Sequence, residues 1–108
     1  MTYESALSAL ADPTRRQVFE RLRAGPLAVK AIAAGLPVSR PAVSQHLKAL
    51  KQAGLVAERS EGVRRIYSVR RDGLAELRDW LDGFWGDALE AFKQEAEKPR
   101  GKTQRSRS

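Results

Sequence analysis

Arg40, Ser44, Gln45 and Lys48 follow one another at spacings of four, one and three residues in a segment that opens with Ser39 and Pro41. On a helix this spacing gathers a guanidinium, a hydroxyl, a carboxamide and an ammonium on one polar side. Such groups match the donors and acceptors that base edges present in the major groove of DNA. A second set, Arg64 and Arg65 followed by Tyr67, lies in an alternating segment and offers cations to phosphates. Two readings of His46 stand: it touches a phosphate or backbone, or it packs against a neighbour. Catalytic chemistry has far less to work with. His46 is the one histidine and there is no cysteine. Ser44 lies two positions from it, facing elsewhere on a helix, and no glycine loop for phosphate is present. A transition-metal site would rest almost wholly on carboxylates, which select poorly for zinc or copper. The residues thus predict a protein that is not an enzyme and carries no metal or cofactor.

Charge supports the same direction. Twenty Lys and Arg against thirteen Asp and Glu leave the 108-residue chain at +7, a balance that suits a polyanionic partner. The excess is unevenly placed: residues 1–57 carry +5, residues 58–71 carry +3, residues 72–97 carry −6 and residues 98–108 carry +5. Only the body and the tail are fit to meet phosphates. The blander reading is ordinary solvated charge. The absence of thiols excludes disulfides and suits a reducing compartment. Neither a basic leader nor an apolar run of about 20 residues is present, so no membrane partner and a cytoplasmic location are expected.

The elements that must position these groups follow from caps and periodicity. Tyr3, Ala6, Leu7 and Leu10 share one face of a short first helix. Asp12 caps a second, with Pro13 in its first turn and Val18, Phe19 and Leu22 as its inner stripe, ending at Gly25-Pro26. Leu27 to Ala34 is expected as a third helix. Ser39 caps the fourth, which buries Val43, Leu47 and Leu50 and stops at Gly54. Leu55 to Arg59 and Val63 to Val69 alternate around Ser60-Glu61-Gly62 as a two-stranded hairpin. Asp72 starts a long final helix reaching about Glu97. One domain over residues 1–97 is expected, with residues 98–108 a basic, disordered tail. The fold class is mainly α with a small β-hairpin (α+β), in the element order of a winged helix-turn-helix.

Three segments carry a family resemblance: Ala9-Leu10-Ala11-Asp12-Pro13-Thr14-Arg15-Arg16; Ser39-Arg40-Pro41-Ala42-Val43-Ser44-Gln45-His46-Leu47-Lys48-Ala49-Leu50 with Ala53-Gly54-Leu55-Val56; and Glu61-Gly62-Val63-Arg64-Arg65-Ile66-Tyr67. Together they resemble the ArsR family of bacterial transcriptional repressors over about the first seventy residues. The resemblance implies a dimer on double-stranded operator DNA of dyad symmetry, and release by an inducer that the residues do not identify. It places a recognition helix within Leu36 to Ala53 and a wing within Glu58 to Val69. The expected DNA-binding set is Ser39, Arg40, Pro41, Ser44, Gln45, His46, Lys48, Arg64, Arg65 and Tyr67.

Departures from the family pattern are equally informative. Many members sense metal through paired cysteines on the third helix, where the matching positions here are Ala28 and Lys30. Others use Asp and His on the final helix, which contains no histidine here. The expectation is a repressor that does not respond to metal, controlled by a small apolar molecule, a partner protein or its own abundance.

The final helix concentrates four of the seven aromatic residues. Leu77, Trp80, Leu81, Phe84, Trp85, Leu89 and Phe92 make an apolar face too broad for one small domain to cover. A homodimer interface built from these residues with Tyr3, Leu7 and Leu10 of the first helix is the expectation, and a ligand pocket between the tryptophans is the alternative. An architectural DNA binder without sequence preference and a module docking a different protein through the final helix remain rival functions.

Overall fold

Cap chemistry sets the helical boundaries in the computed structural model, which describes residues 2–97. Helix α1 (Tyr3–Leu10) begins where the Thr2 hydroxyl accepts from the Ser5 amide. Helix α2 (Pro13–Arg21) begins at Asp12, whose carboxylate accepts from the Arg15 amide at 2.9 Å. Arg16 closes the preceding end by donating to the Leu10 carbonyl at 2.8 Å. These contacts satisfy helix-end groups that would otherwise need water.

The segment after Gly25-Pro26 differs from expectation. Leu27–Ala28 is a short strand, β1, and only Val29–Ala34 is helical, as α3. Leu27 pairs with Tyr67 and Ala28 with Ile66, so the sheet has three antiparallel strands in the order β1-β3-β2 rather than two. Strand pairing outweighs local helix preference here, because the free edge of the hairpin gains a hydrogen-bonding partner. Helix α4 (Arg40–Gln52) leads into β2 (Val56–Glu61) and β3 (Arg64–Val69). The turn between these strands is Gly62-Val63, with Gly62 at φ +63°, so Val63 sits at the wing tip rather than within the strand. Helix α5 spans Arg71–Ala96.

The core gathers Val18 and Leu22 of α2, Ile32 of α3, Val43, Leu47 and Leu50 of α4, and Leu55 and Val56 behind them. All eight are large and fully buried, and α2 and α3 both pack on α4. Helix α4 is therefore held from behind by apolar contact. The chain divides into two compact units, one reaching to Arg78 and one starting at Asp79. In the first, Leu74 and Leu77 pack against the core. In the second, Trp80 and Phe84 meet edge to face at 4.9 Å, while Leu81, Phe84, Trp85, Leu89 and Phe92 are exposed. Among the described residues no helix is long and apolar enough to cross a membrane. The basic segment 98–108, expected to be a tail, lies outside the described residues.

Candidate nucleic-acid interface

Ser39 fixes where the polar face of α4 begins. Its hydroxyl accepts from the Ala42 amide at 3.2 Å, Pro41 occupies the first turn, and the buried stripe of Val43, Leu47 and Leu50 fixes the rotation of the helix. The opposite side is consequently wet: Arg40, Pro41, Ser44, Gln45 and Lys48 are all exposed on it, with Lys51 one turn further on. Arg40 and Lys48 form no ion pair with another described residue, which leaves their charges available to an incoming anion. The structure thus brings five side chains able to hydrogen-bond or pair with DNA, those of Arg40, Ser44, Gln45, Lys48 and Lys51, onto one helix face in front of a rigid apolar support.

His46 is half-buried at the border of that face. Its Nδ1 accepts from Arg15 Nε across a long 3.4 Å contact, which ties α4 to α2. Packing with a neighbour therefore describes its position within the chain. Asp12, at the start of α2, is held below the ordinary carboxylate range, first by the Arg15 amide.

The wing is more structured than a pair of loose cations. Arg64 is exposed and free of ion pairs with described residues. Arg65 is also exposed, but its guanidinium is paired with Glu58. The other oxygen of Glu58 receives Lys51 Nζ at 2.9 Å, so one carboxylate joins the end of α4 to both wing strands. Hydrogen bonds from Lys51 and then Arg65 hold the Glu58 carboxyl below its ordinary range, and the same pairing raises Arg65.

Tyr67 corrects the sequence reading. It is only 8% exposed and belongs to the core, because β3 is the middle strand and buries both Ile66 and Tyr67. Burial first, and Glu58 next, push its phenol above the usual value. Its ring supports the wing from within and presents little surface to a phosphate.

Sequence reasoning missed two residues. Glu58 joins Arg65 diagonally across the β2-β3 ladder, a relationship legible only once the register Ser60↔Arg65 is known. Val63 is fully exposed at the wing tip beside Arg64, an apolar side chain that no other described residue covers. No group of three or more His, Cys, Asp or Glu side chains suited to a metal ion converges among the described residues.

A helix-turn-helix domain model matches residues 10–59, spanning α2, α3, α4 and the start of β2. The chain is similar to the HTH-type transcriptional regulator Rv2034 of Mycobacterium tuberculosis, at 57% identity over 96 residues, covering 86% of this chain and 90% of that protein. In three dimensions it is similar to an ArsR-like transcriptional regulator from Rhodococcus sp. RHA1, with TM-score 0.70 and 31% identity over 90% of this chain and 94% of that one. The chain belongs to the ArsR family. This ArsR-family protein is a DNA-binding transcriptional regulator with a winged helix-turn-helix fold, and not an enzyme. It is similar also to the transcriptional repressor SdpR of Bacillus subtilis, at 31% identity over 74% of this chain and 89% of that protein. A further structural relative is the homodimeric winged helix-turn-helix DNA-binding domain of a possible ArsR-family regulator from Mycobacterium bovis, with TM-score 0.63 and 33% identity over 82% of each chain.

Proposed function

We propose that this ArsR-family chain is a homodimeric repressor that recognises a specific operator of dyad symmetry and does not respond to metal. The observation that carries the proposal is the α4 face: Arg40, Ser44 and Gln45 exposed together on a helix whose start is capped and whose back is buried. In the major groove such a face discriminates base pairs by their donor and acceptor patterns. Lys48 and Arg64 grip phosphates without choosing among sequences. His46 is assigned a backbone contact beside its tie to α2.

The dimer is supported by the exposed apolar side chains of α5 beyond Asp79, where Trp85 is 67% and Phe92 73% exposed, and by the homodimeric state named for the Mycobacterium bovis relative. Tyr3, Leu7 and Leu10 of α1, with Leu77 and Trp80 of α5, are assigned to the same interface, and Leu81, Phe84 and Leu89 to its exposed part. Repression follows the name of the SdpR relative. Metal independence is supported by the complete lack of cysteine and by Ala28 and Lys30 in place of the paired thiols.

Selection of bound fragments from genomic DNA, followed by footprinting, tests the proposal. The expected result is an inverted repeat whose half-sites lie one helical turn, about 34 Å, or a multiple apart. Protection without dyad symmetry, spread evenly over unrelated fragments, would instead favour an architectural binder.

A further inference from the structure

We propose that Glu58 sets the selectivity of DNA binding: its carboxylate clamps Lys51 of α4 to Arg65 of the wing, fixing the wing against the recognition helix and withholding both cations from non-operator DNA. The inference rests on the operator-reading function proposed above.

The geometry is asymmetric. The Glu58 side chain is 13% exposed, whereas Lys51 is 54% and Arg65 66% exposed. The acid is therefore enclosed and its two cations present their outer sides to solvent. Both oxygens are used, one by Lys51 at 2.9 Å and one by Arg65. Glu58 stands opposite the buried Tyr67 in the strand register, so its backbone is anchored to the core and the clamp cannot drift with the wing tip.

An acid at this place works against affinity. Every phosphate that a cation neutralises releases counterions and steepens the salt dependence by about 0.9. With Glu58 ionised, Lys51 and Arg65 together bring one net charge to the duplex instead of two. A loosely held duplex lacks the fixed contacts needed to draw these cations off their carboxylate. On an operator, α4 is seated in the groove, and a wing fixed relative to α4 meets its phosphates already in place. The clamp thus lowers affinity for arbitrary DNA more than affinity for the operator. Specificity is the difference between the two.

Glu58→Gln removes the charge and the Arg65 pairing while keeping the size of the side chain. Its mirror is Glu61→Gln, which removes the same charge from the Arg59 pair, a 3.0 Å contact confined to β2 with no link to α4. Full-length dimers of both variants and of Lys51→Gln are titrated, over a salt series, against the selected operator and a scrambled duplex, after thermal melting establishes that each is folded. For Glu58→Gln the expected result is about a tenfold gain on scrambled DNA, a salt slope there steeper by about one unit, and a change under threefold on the operator. Lys51→Gln should shift the scrambled slope by one unit or less, and Glu61→Gln should leave the ratio between the two duplexes near that of the wild type. An unchanged ratio in Glu58→Gln, weaker binding to scrambled DNA, or an equal effect from Glu61→Gln overturns the inference. A wild type that does not distinguish operator from scrambled duplex overturns the operator-reading function itself, and is recognised without any variant.

Discussion

A Cβ placed on Gly73, in the first turn of α5, would lie 1.9 Å from the carbonyl oxygen of Gly54, which follows the end of α4. The two backbones touch because Gly73 has no side chain, and Gly54 adopts φ +80°, a conformation that favours glycine. Just beside this contact the Arg70 amide donates to the Leu55 carbonyl at 2.8 Å. The start of α5 is thereby fixed to the exit of α4. Gly73→Ala must push α5 off Gly54, since backbone cannot rotate away as a side chain can. A loss of about 2 kcal/mol or more in urea unfolding is expected, with operator affinity falling in parallel. A neutral Gly73→Ala would show that this contact does not constrain the helix.

The salt series separates two arginines that are neighbours in sequence. Arg64 is free of ion pairs with described residues, so Arg64→Ala should lower the slope by about one unit on every duplex. Arg65→Ala should lower it by less on scrambled DNA, because Glu58 already holds that charge. Ser39→Ala should cost about 1 kcal/mol of stability through the lost cap of α4. Chemical denaturation and fluorescence anisotropy read these effects.

Acid should loosen the interface through two carboxylates. Asp12 and Glu58 are both held below their ordinary range in the folded chain, by the Arg15 amide and by Lys51 with Arg65 respectively. A group depressed on folding contributes stability that is fully present above its unfolded pKa and is lost as pH falls through its folded one. Between pH 5 and 8 the contribution of both is therefore constant, and it disappears below the ordinary carboxylate range. Circular dichroism on acid titration should show a flatter loss of stability in an Asp12→Asn, Glu58→Gln double variant than in the wild type. Identical slopes would remove these two groups from the account.

Dimerisation is tested at the apolar face beyond Asp79. Trp85→Glu places a charge among Leu81, Leu89 and Phe92, where pairing with a second chain would bury it, at a cost of several kcal/mol to association. Since Trp85 is exposed within one chain, the fold of the monomer should survive. Sedimentation at micromolar concentration should give a dimer for the wild type and a monomer for the variant. A monomeric wild type contradicts the proposed interface.

Micromolar zinc, cadmium or arsenite should leave operator affinity unchanged, as should a chelator. A saturable tenfold loss with one of them corresponds to about 1.4 kcal/mol of coupling, and would contradict metal independence.

Much of this architecture is legible in the sequence wherever the signal is local. Asp12-Pro13 and Ser39-Arg40-Pro41 mark helix starts because a side-chain oxygen and a proline answer to the same few amides, and both marks stand at the observed ends of α2 and α4. The stripe Val43, Leu47, Leu50 fixes which side of α4 is wet, and so which polar residues face outward. What remains hidden is set by pairing across the chain. Leu27–Ala28 has no strand signal of its own and is extended because Tyr67 and Ile66 lie beside it. Tyr67 looks half-exposed by alternation, yet a middle strand buries residues that an edge would leave wet. Arg65 looks like a free cation until the register brings Glu58 to it.

The most direct test of the central claim, that the exposed face of α4 reads bases, is the ratio of affinities for operator and scrambled duplex at physiological salt. The wild type and an Arg40→Ala, Gln45→Ala double variant are measured side by side. The account predicts a wild-type ratio of about 10³ or more, and its reduction by at least tenfold in the variant, since each lost base contact costs roughly 1 to 3 kcal/mol. A wild-type ratio near one, or a ratio that the double variant leaves intact, would contradict it.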